Sequence, residues 1–290
     1  MSKVLDILES LVNTPAVSGF ERELGMSQRI VSFFKSFNPQ VDELGNVLVK
    51  VSSGKKRILI EAHLDEVGFL KTANGFVTIG SISEKDIKSE NITTVKGKRI
   101  SYFKRQFNVT GTIVKSPGLD NKTGCTALVL AANNFRNLNA DVWLAFTARE
   151  ETTCEGIKKI VDKIKPNIII SVDSAYAQPF ENKRWQIPIC GNGPAMQLQG
   201  MNFIINCIDL IEDVAKNEKI PYQFEIVDYN CGATNLSDIY SDAQKIQINI
   251  PVKYQHTAIC EADIRDIENA AKLVVAVVTE IEEEIKNENK

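Results

Sequence analysis

The chain has 290 residues, of which 43% are hydrophobic and 24% charged, with a formal net charge of -3. Those values fit a soluble globular protein with a large core and room for one small extra domain. The slight negative charge offers no basic footprint for nucleic acid, and no apolar run reaches the length of a membrane span.

In chain order, a first helix is expected over Lys3 to Val12, with Val4, Ile7, Leu8 and Leu11 on one face. Thr14-Pro15 ends it, and a second helix is expected from Glu21 to Phe37. Gly45 opens a hairpin of Asn46 to Val51 and Lys56 to Ala62. Short strands follow at Phe76–Ile79, Arg99–Phe103 and Asn108–Val114. They mark residues 68–115 as a small β-rich insert between two helix-rich parts, 1–67 and 116–290. From Pro117 strands and helices alternate: helix Gly124–Phe135, strand Val142–Thr147, helix Gly156–Lys163 and strand Asn167–Val172. Helix Phe203–Asn217, strands Tyr222–Val227 and Lys245–Ile250, and a long helix from Glu261 complete the chain. This alternation predicts an α/β fold, a three-layer α/β/α sandwich with a mostly parallel central sheet. Sites in such folds form at the carboxyl ends of the strands.

The chain contains only two histidines, and each follows a strand-like run. His63-Leu64-Asp65 places a histidine and a carboxylate on the same side of an extended segment. Asp65 could then orient the His63 ring, although a polar strand end would read the same way. Asp120, before an expected helix, suits an N-cap as well as a carboxylate shared between two cations. Glu150-Glu151 follows a strand. Adjacent carboxylates there repel unless a cation or proton lies between them, or else they begin an exposed helix. Asp173 ends a buried apolar run, as a ligand or a turn former, and His256 follows the strand-like run Ile246–Val252, as a ligand or an ordinary loop histidine. Separations of 57, 31, 22 and 83 residues along His63, Asp120, Glu151, Asp173 and His256 are too long for a local zinc motif. They suit two zinc-like ions held by groups that a sheet collects.

At these positions the chain resembles the glutamyl and deblocking aminopeptidases, the self-compartmentalising tetrahedral aminopeptidases. Ser18-Gly19-Phe20-Glu21 is similar to the family's S-G-x-E, and Asp42-Glu43-Leu44-Gly45-Asn46 to its D-x-x-G-N. Ala62-His63-Leu64-Asp65-Glu66-Val67-Gly68 is similar to A-H-x-D-E-x-G, and Leu119-Asp120-Asn121-Lys122-Thr123-Gly124-Cys125 to its D-D-R-x-G-C loop. Glu150-Glu151, Asp173-Ser174-Ala175, Gly191–Ala195 and Tyr254–Thr257 follow in the family's order.

The resemblance implies a phosphorylase/hydrolase-like peptidase fold and two divalent metal ions per chain, zinc or cobalt. Asp120 would bridge them, with His63 and Asp173 completing one site and Glu151 and His256 the other. Glu150 would be the general base and Asp65 the partner of His63. The implied activity is an aminopeptidase acting on short peptides. Asn121 replaces a usual second Asp, and Gly232-Ala233-Thr234-Asn235 replaces G-G-T-D-A. The insert is shorter than the family's usual one, which supports its assembly. A homo-oligomer is therefore expected, a dimer in preference to a dodecamer, with Phe76, Tyr102, Phe103 and Phe107 as the candidate contact surface.

A related carboxypeptidase or N-deacylase would carry its insert late, between Asp173 and His256, where this chain reads as ordinary βα structure. A non-catalytic descendant would have no need of Glu150. The six cysteines form no C-x-x-C pair and Met1–Asp6 has no signal-peptide character, so a cytoplasmic protein with reduced thiols is expected.

Overall fold

The long apolar runs become the middle of a sheet, because strands covered on both faces need apolar side chains along their whole length. The computed structural model describes residues 3–179, 186–198, 205–226, 236, 239 and 241–288. Its early strands are β1 (Gln40–Val41), β2 (Val47–Lys50), β3 (Arg57–His63), β4 (Gly68–Thr72), β5 (Gly75–Ile79), β6 (Ile92–Thr94) and β7 (Ile100–Phe103). There follow β8 (Asn108–Thr110), β9 (Ile113–Lys115), β10 (Asp141–Thr147), β11 (Ile168–Tyr176), β12 (Ala195–Gln197), β13 (Gln223–Glu225), β14 (Gln244–Lys253) and β15 (Glu261–Asp263). The helices are α1 (Lys3–Val12), α2 (Met26–Phe33), α3 (Leu119–Ala131), α4 (Glu155–Ile164), α5 (Ile205–Asn217) and α6 (Ile264–Glu288).

The large sheet runs β1-β2-β10-β3-β11-β14-β15-β9-β8, with β12 also beside β14 and β13 beside β12. Its centre, β10-β3-β11-β14, is parallel. Alternation of side chains then sorts the layers. Ile58, Ile60, Ile170, Val172, Ile248 and Ile250 join one core with α1, α3 and α6. Leu59, Ala145 and Ile169 face the other way, onto Ile157, Ile160 and Ile164 of α4. The result is the expected α/β/α sandwich.

A second sheet, β5-β4-β7-β6, lies outside it. Its small core holds Val67, Phe69 and Phe103, with edge-to-face ring contacts from Phe69 to Phe76 and Phe103. The separate sheet ends at Phe103, short of the boundary read from sequence. Asn108–Val114 is two strands, because Gly111 takes φ 61 and turns the chain into a hairpin. Its β9 pairs with β15 at the edge of the large sheet.

The aromatic surface expected for subunit contact is mostly internal. Phe103 is buried, Phe76 packs edge-on against Phe69, Tyr102 lies under Arg105, and Phe107 packs on the main core. Short strands have few other large side chains with which to close a core. Other boundaries also shift. Helix α2 starts at Met26, after Gly25 at φ 91, and Glu21 lies before it. Strand β11 runs to Tyr176, so Asp173 sits inside a strand. The last helix starts at Ile264, because Glu261–Asp263 pairs as a strand.

Candidate metal centre

Strand register gathers the site. His63 ends β3 directly beside Thr147 of β10, so the loop after Thr147 passes over His63. Asp173 stands on β11, the other neighbour of β3. Asp120 comes from the start of α3. His256 follows β14 in a loop where it takes φ 59 and Tyr254 takes φ 55. Such left-handed states are costly for non-glycine residues and are concentrated at functional sites.

His63 Nε2 lies 3.2 Å from Asp120 Oδ1 and 3.2 Å from Asp173 Oδ1. His256 Nε2 lies 3.3 Å from Asp120 Oδ2 and 3.2 Å from Glu151 Oε2. Two three-residue clusters result, and they share Asp120. Glu150 belongs to neither; its Oε2 is 3.9 Å from His63 Nε2. All five residues expected to hold metal are thus together, with Glu150 beside them.

The donor set fits cations. Each Nε2 faces two carboxylates, yet a ring nitrogen carries at most one proton, so hydrogen bonding cannot satisfy both. Ligands 2.0–2.1 Å from a tetrahedral ion stand ~3.3 Å from one another, which is the spacing found here. Glu151 Oε1 and His63 Nδ1 are buried without hydrogen-bond partners.

Electrostatics agree. Burial pushes the His63 imidazolium down, but Asp173, Glu150 and Asp120 outweigh it and carry its pKa well above the ordinary value. Burial opposes charge on His256 too, yet Glu151 and Asp120 raise it to about 12. Asp120 is buried, but His256 and His63 hold its carboxyl far below the usual range. Burial raises Glu150 well above the usual range, with Asp173, Glu151 and Asp65 adding and His63 opposing. The pocket therefore favours positive charge.

Asp120 is not the helix cap. Its backbone is non-helical and its carboxylate turns to the histidines, while Asn121 Oδ1 accepts from Gly124 N at 2.9 Å. Asn121 Nδ2 donates to Val172 O at 2.8 Å, a bond that an ionised aspartate could not make. Buried Lys122 donates from Nζ to Leu64 O at 2.7 Å, which ties this turn to the exit of β3.

Asp65 lies beside the His63 ring that it is expected to orient. Its Oδ1 is 3.6 Å from His63 Nδ1, beyond a hydrogen bond. Its oxygens instead accept from Glu150 N at 3.0 Å and Glu151 N at 3.1 Å. Glu21 Oε1 accepts from Arg149 N at 2.9 Å, and Asn46 Oδ1 from Ala148 N at 2.7 Å. The sequence signalled Glu21 and Asn46 only through their motifs and gave them no role. Cys231 and the departure at Gly232–Asn235 lie outside the described residues.

The fold and this constellation define an α/β protein of the metallopeptidase type. The family described as M42 glutamyl aminopeptidase matches residues 71–273, and the chain belongs to it. A putative aminopeptidase of Acetivibrio thermocellus is 28% identical over 335 residues, covering 95% of this chain and 98% of the relative. A lysyl aminopeptidase of Pyrococcus furiosus is 24% identical over 346 residues, covering 95% and 97%. Among solved structures, the TET1 peptidase of Pyrococcus horikoshii superposes with a TM-score of 0.81 at 22% identity, covering 95% of this chain and 99% of that one. That peptidase assembles into a tetrahedron or a large octahedral shell. The expected preference for a dimer finds no support in this neighbour. The chain is an aminopeptidase, a hydrolase of peptide bonds, in a family of metallopeptidases.

Proposed function

We propose that this chain removes N-terminal residues from short peptides with two divalent ions, zinc or cobalt, held at the paired clusters. The observation that carries the reading is Asp120, whose two oxygens each face a different histidine-carboxylate cluster. His63, Asp120 and Asp173 would hold one ion, and Asp120, Glu151 and His256 the other. When bound, such ions lower the pKa of water towards ~7 and polarise a carbonyl. Glu150 stands outside both clusters, with its Oε2 3.9 Å from His63 Nε2. It is therefore placed to take a proton from the attacking water and return it to the leaving amine. Asp65 holds the backbone of both glutamates through their amides. The large sheet and its helices form the catalytic domain, with Gly68–Phe103 inserted into it. We place the enzyme in the cytoplasm as a homo-oligomer.

The test is metal content by mass spectrometry, together with release from free-amine and N-acylated peptides. Two ions per chain and turnover of free-amine peptides are expected. Turnover confined to N-acylated substrates would make the protein a deacylase. Two ions with no peptide release would make the site non-catalytic.

A further inference from the structure

We propose that Glu21 is a positioning residue for Glu150, working with Asn46 and Asp65 as one row of acceptors that fixes the backbone from Ala148 to Glu151. The inference rests on Glu150 as the base. Four consecutive amides, Ala148, Arg149, Glu150 and Glu151, each end on a side-chain oxygen at 2.7, 2.9, 3.0 and 3.1 Å. The acceptors come from three distant parts of the chain. Glu21 follows the first helix, Asn46 leads into β2, and Asp65 follows β3.

The segment has no regular structure of its own, and Arg149 takes φ 64. A left-handed non-glycine residue persists only where its surroundings over-determine it. Successive amides of this kind form a concavity that attracts an anion. Here the Asn46 amide oxygen accepts the first amide, Glu21 the second and Asp65 the last two. The two glutamates then diverge: Glu151 reaches His256, and Glu150 stands beside His63.

The acceptors are themselves held. Asp42 accepts the amides of Leu44, Gly45 and Asn46, and also Asn46 Nδ2 at 2.8 Å. A carboxylate cannot donate, so this contact turns Asn46 Oδ1 towards Ala148. Glu21 Oε1 receives a second amide, Gly19 N at 2.9 Å, from a glycine at φ 84. Ser18 Oγ and Thr152 Oγ1, 2.9 Å apart, tie the same stretch to the far side of the loop. Two motifs, S-G-x-E and D-x-x-G-N, thereby acquire a physical purpose.

The test compares Glu21→Ala, Glu21→Gln and Glu21→Asp. The readouts are kcat, KM, metal content, and hydrogen exchange of the amides of residues 148–151 in metal-free and metal-loaded protein. In Glu21→Ala, kcat should fall by about 10²-fold, the cost of a displacement of roughly 1 Å at a reacting group. KM and metal content should change little, and the Arg149 amide should exchange faster with or without metal. Glu21→Gln keeps an acceptor oxygen and should restore both activity and protection. Glu21→Asp is one methylene short and should resemble the alanine variant. Should Glu21→Ala not fold, the Gln–Asp contrast decides. The proposal is overturned if Glu21→Ala keeps full kcat, if Glu21→Gln is as impaired as Glu21→Ala, or if activity and metal are lost together. A wild-type protein without peptidase activity would sink the assignment of Glu150 instead, and exchange at Arg149 would still test the clamp.

Discussion

At the scale of single residues, two carboxylates in one buried pocket are proposed for different work because their geometry differs. Asp120 touches both clusters, while Glu150 touches neither. Asp120→Ala should therefore release both ions and abolish activity, with metal content as the measurement. Near-normal metal content in that variant would end the assignment. Glu150→Gln keeps size and hydrogen-bonding capacity but cannot take a proton at neutral pH. It should keep both ions and lose on the order of 10²–10⁴-fold in kcat, the usual worth of a general base. Loss of metal in that variant would exchange its role with that of Glu151. Asn121 illustrates a departure that the structure makes intelligible. Its amide caps α3 with one atom and donates to the carbonyl of Val172 with the other. It thus connects the segment carrying Asp120 to the strand carrying Asp173.

At the scale of elements, α4 has to approach the end of β10 closely, because the loop between them carries the glutamates. Gly156 permits that approach. A Cβ at this position would lie 2.2 Å from Ala148 O and 2.5 Å from Asn46 Oδ1, contacts that no side chain can make without movement. Gly156→Ala should destabilise the fold by about 1–3 kcal/mol, the usual cost of overpacking a well-filled site. It should also lower kcat, because the atoms it strikes belong to the contact of Asn46 with Ala148. Urea denaturation and steady-state kinetics check the two effects. A variant with unchanged midpoint and unchanged kcat would show that α4 moves freely against β10. The second sheet meets the site in a comparable way. Its small core includes Ala258, two residues beyond His256, and Gln106 Nε2 donates to Ala258 O at 3.0 Å. Arg105 pairs with Glu66, which also accepts Ala16 N at 2.8 Å. The inserted sheet therefore braces the histidine loop.

At the scale of the whole molecule, assembly is open to direct measurement. The alignment with the relative of Acetivibrio thermocellus runs to 335 residues against the 290 of this chain, so that relative has segments this chain lacks. Val77 on the second sheet and Ile259 beyond His256 are 55% and 57% exposed in the single chain. Apolar side chains exposed singly are ordinary on a protein surface, so the proposed homo-oligomer is tested by its mass. Light scattering at micromolar concentration should give a multiple of the 32.3 kDa chain mass. A single-chain mass would remove the proposed oligomer. Among the described residues, no helix is long and apolar enough to cross a membrane.

The sequence by itself determined the layered α/β fold and the set of groups that meet at the site. Fully apolar runs such as Ile168–Ile170 can be buried on both faces, and the positions of the two histidines and their carboxylates after strand-like runs, together with the family's motifs, marked the site. It did not determine where elements stop, because glycine conformations and strand pairing decided that. Gly25 delayed α2 to Met26, and Gly111 folded an apparent single strand into a hairpin. Nor did it reveal what Asp65, Glu21 and Asn46 do. Their bonds to the glutamate loop join positions 85, 128 and 102 residues apart. Such contacts leave no local periodicity in the chain. Only the parallel register of β3 with β10, which sets Thr147 beside His63, brings the acceptors and the amides together.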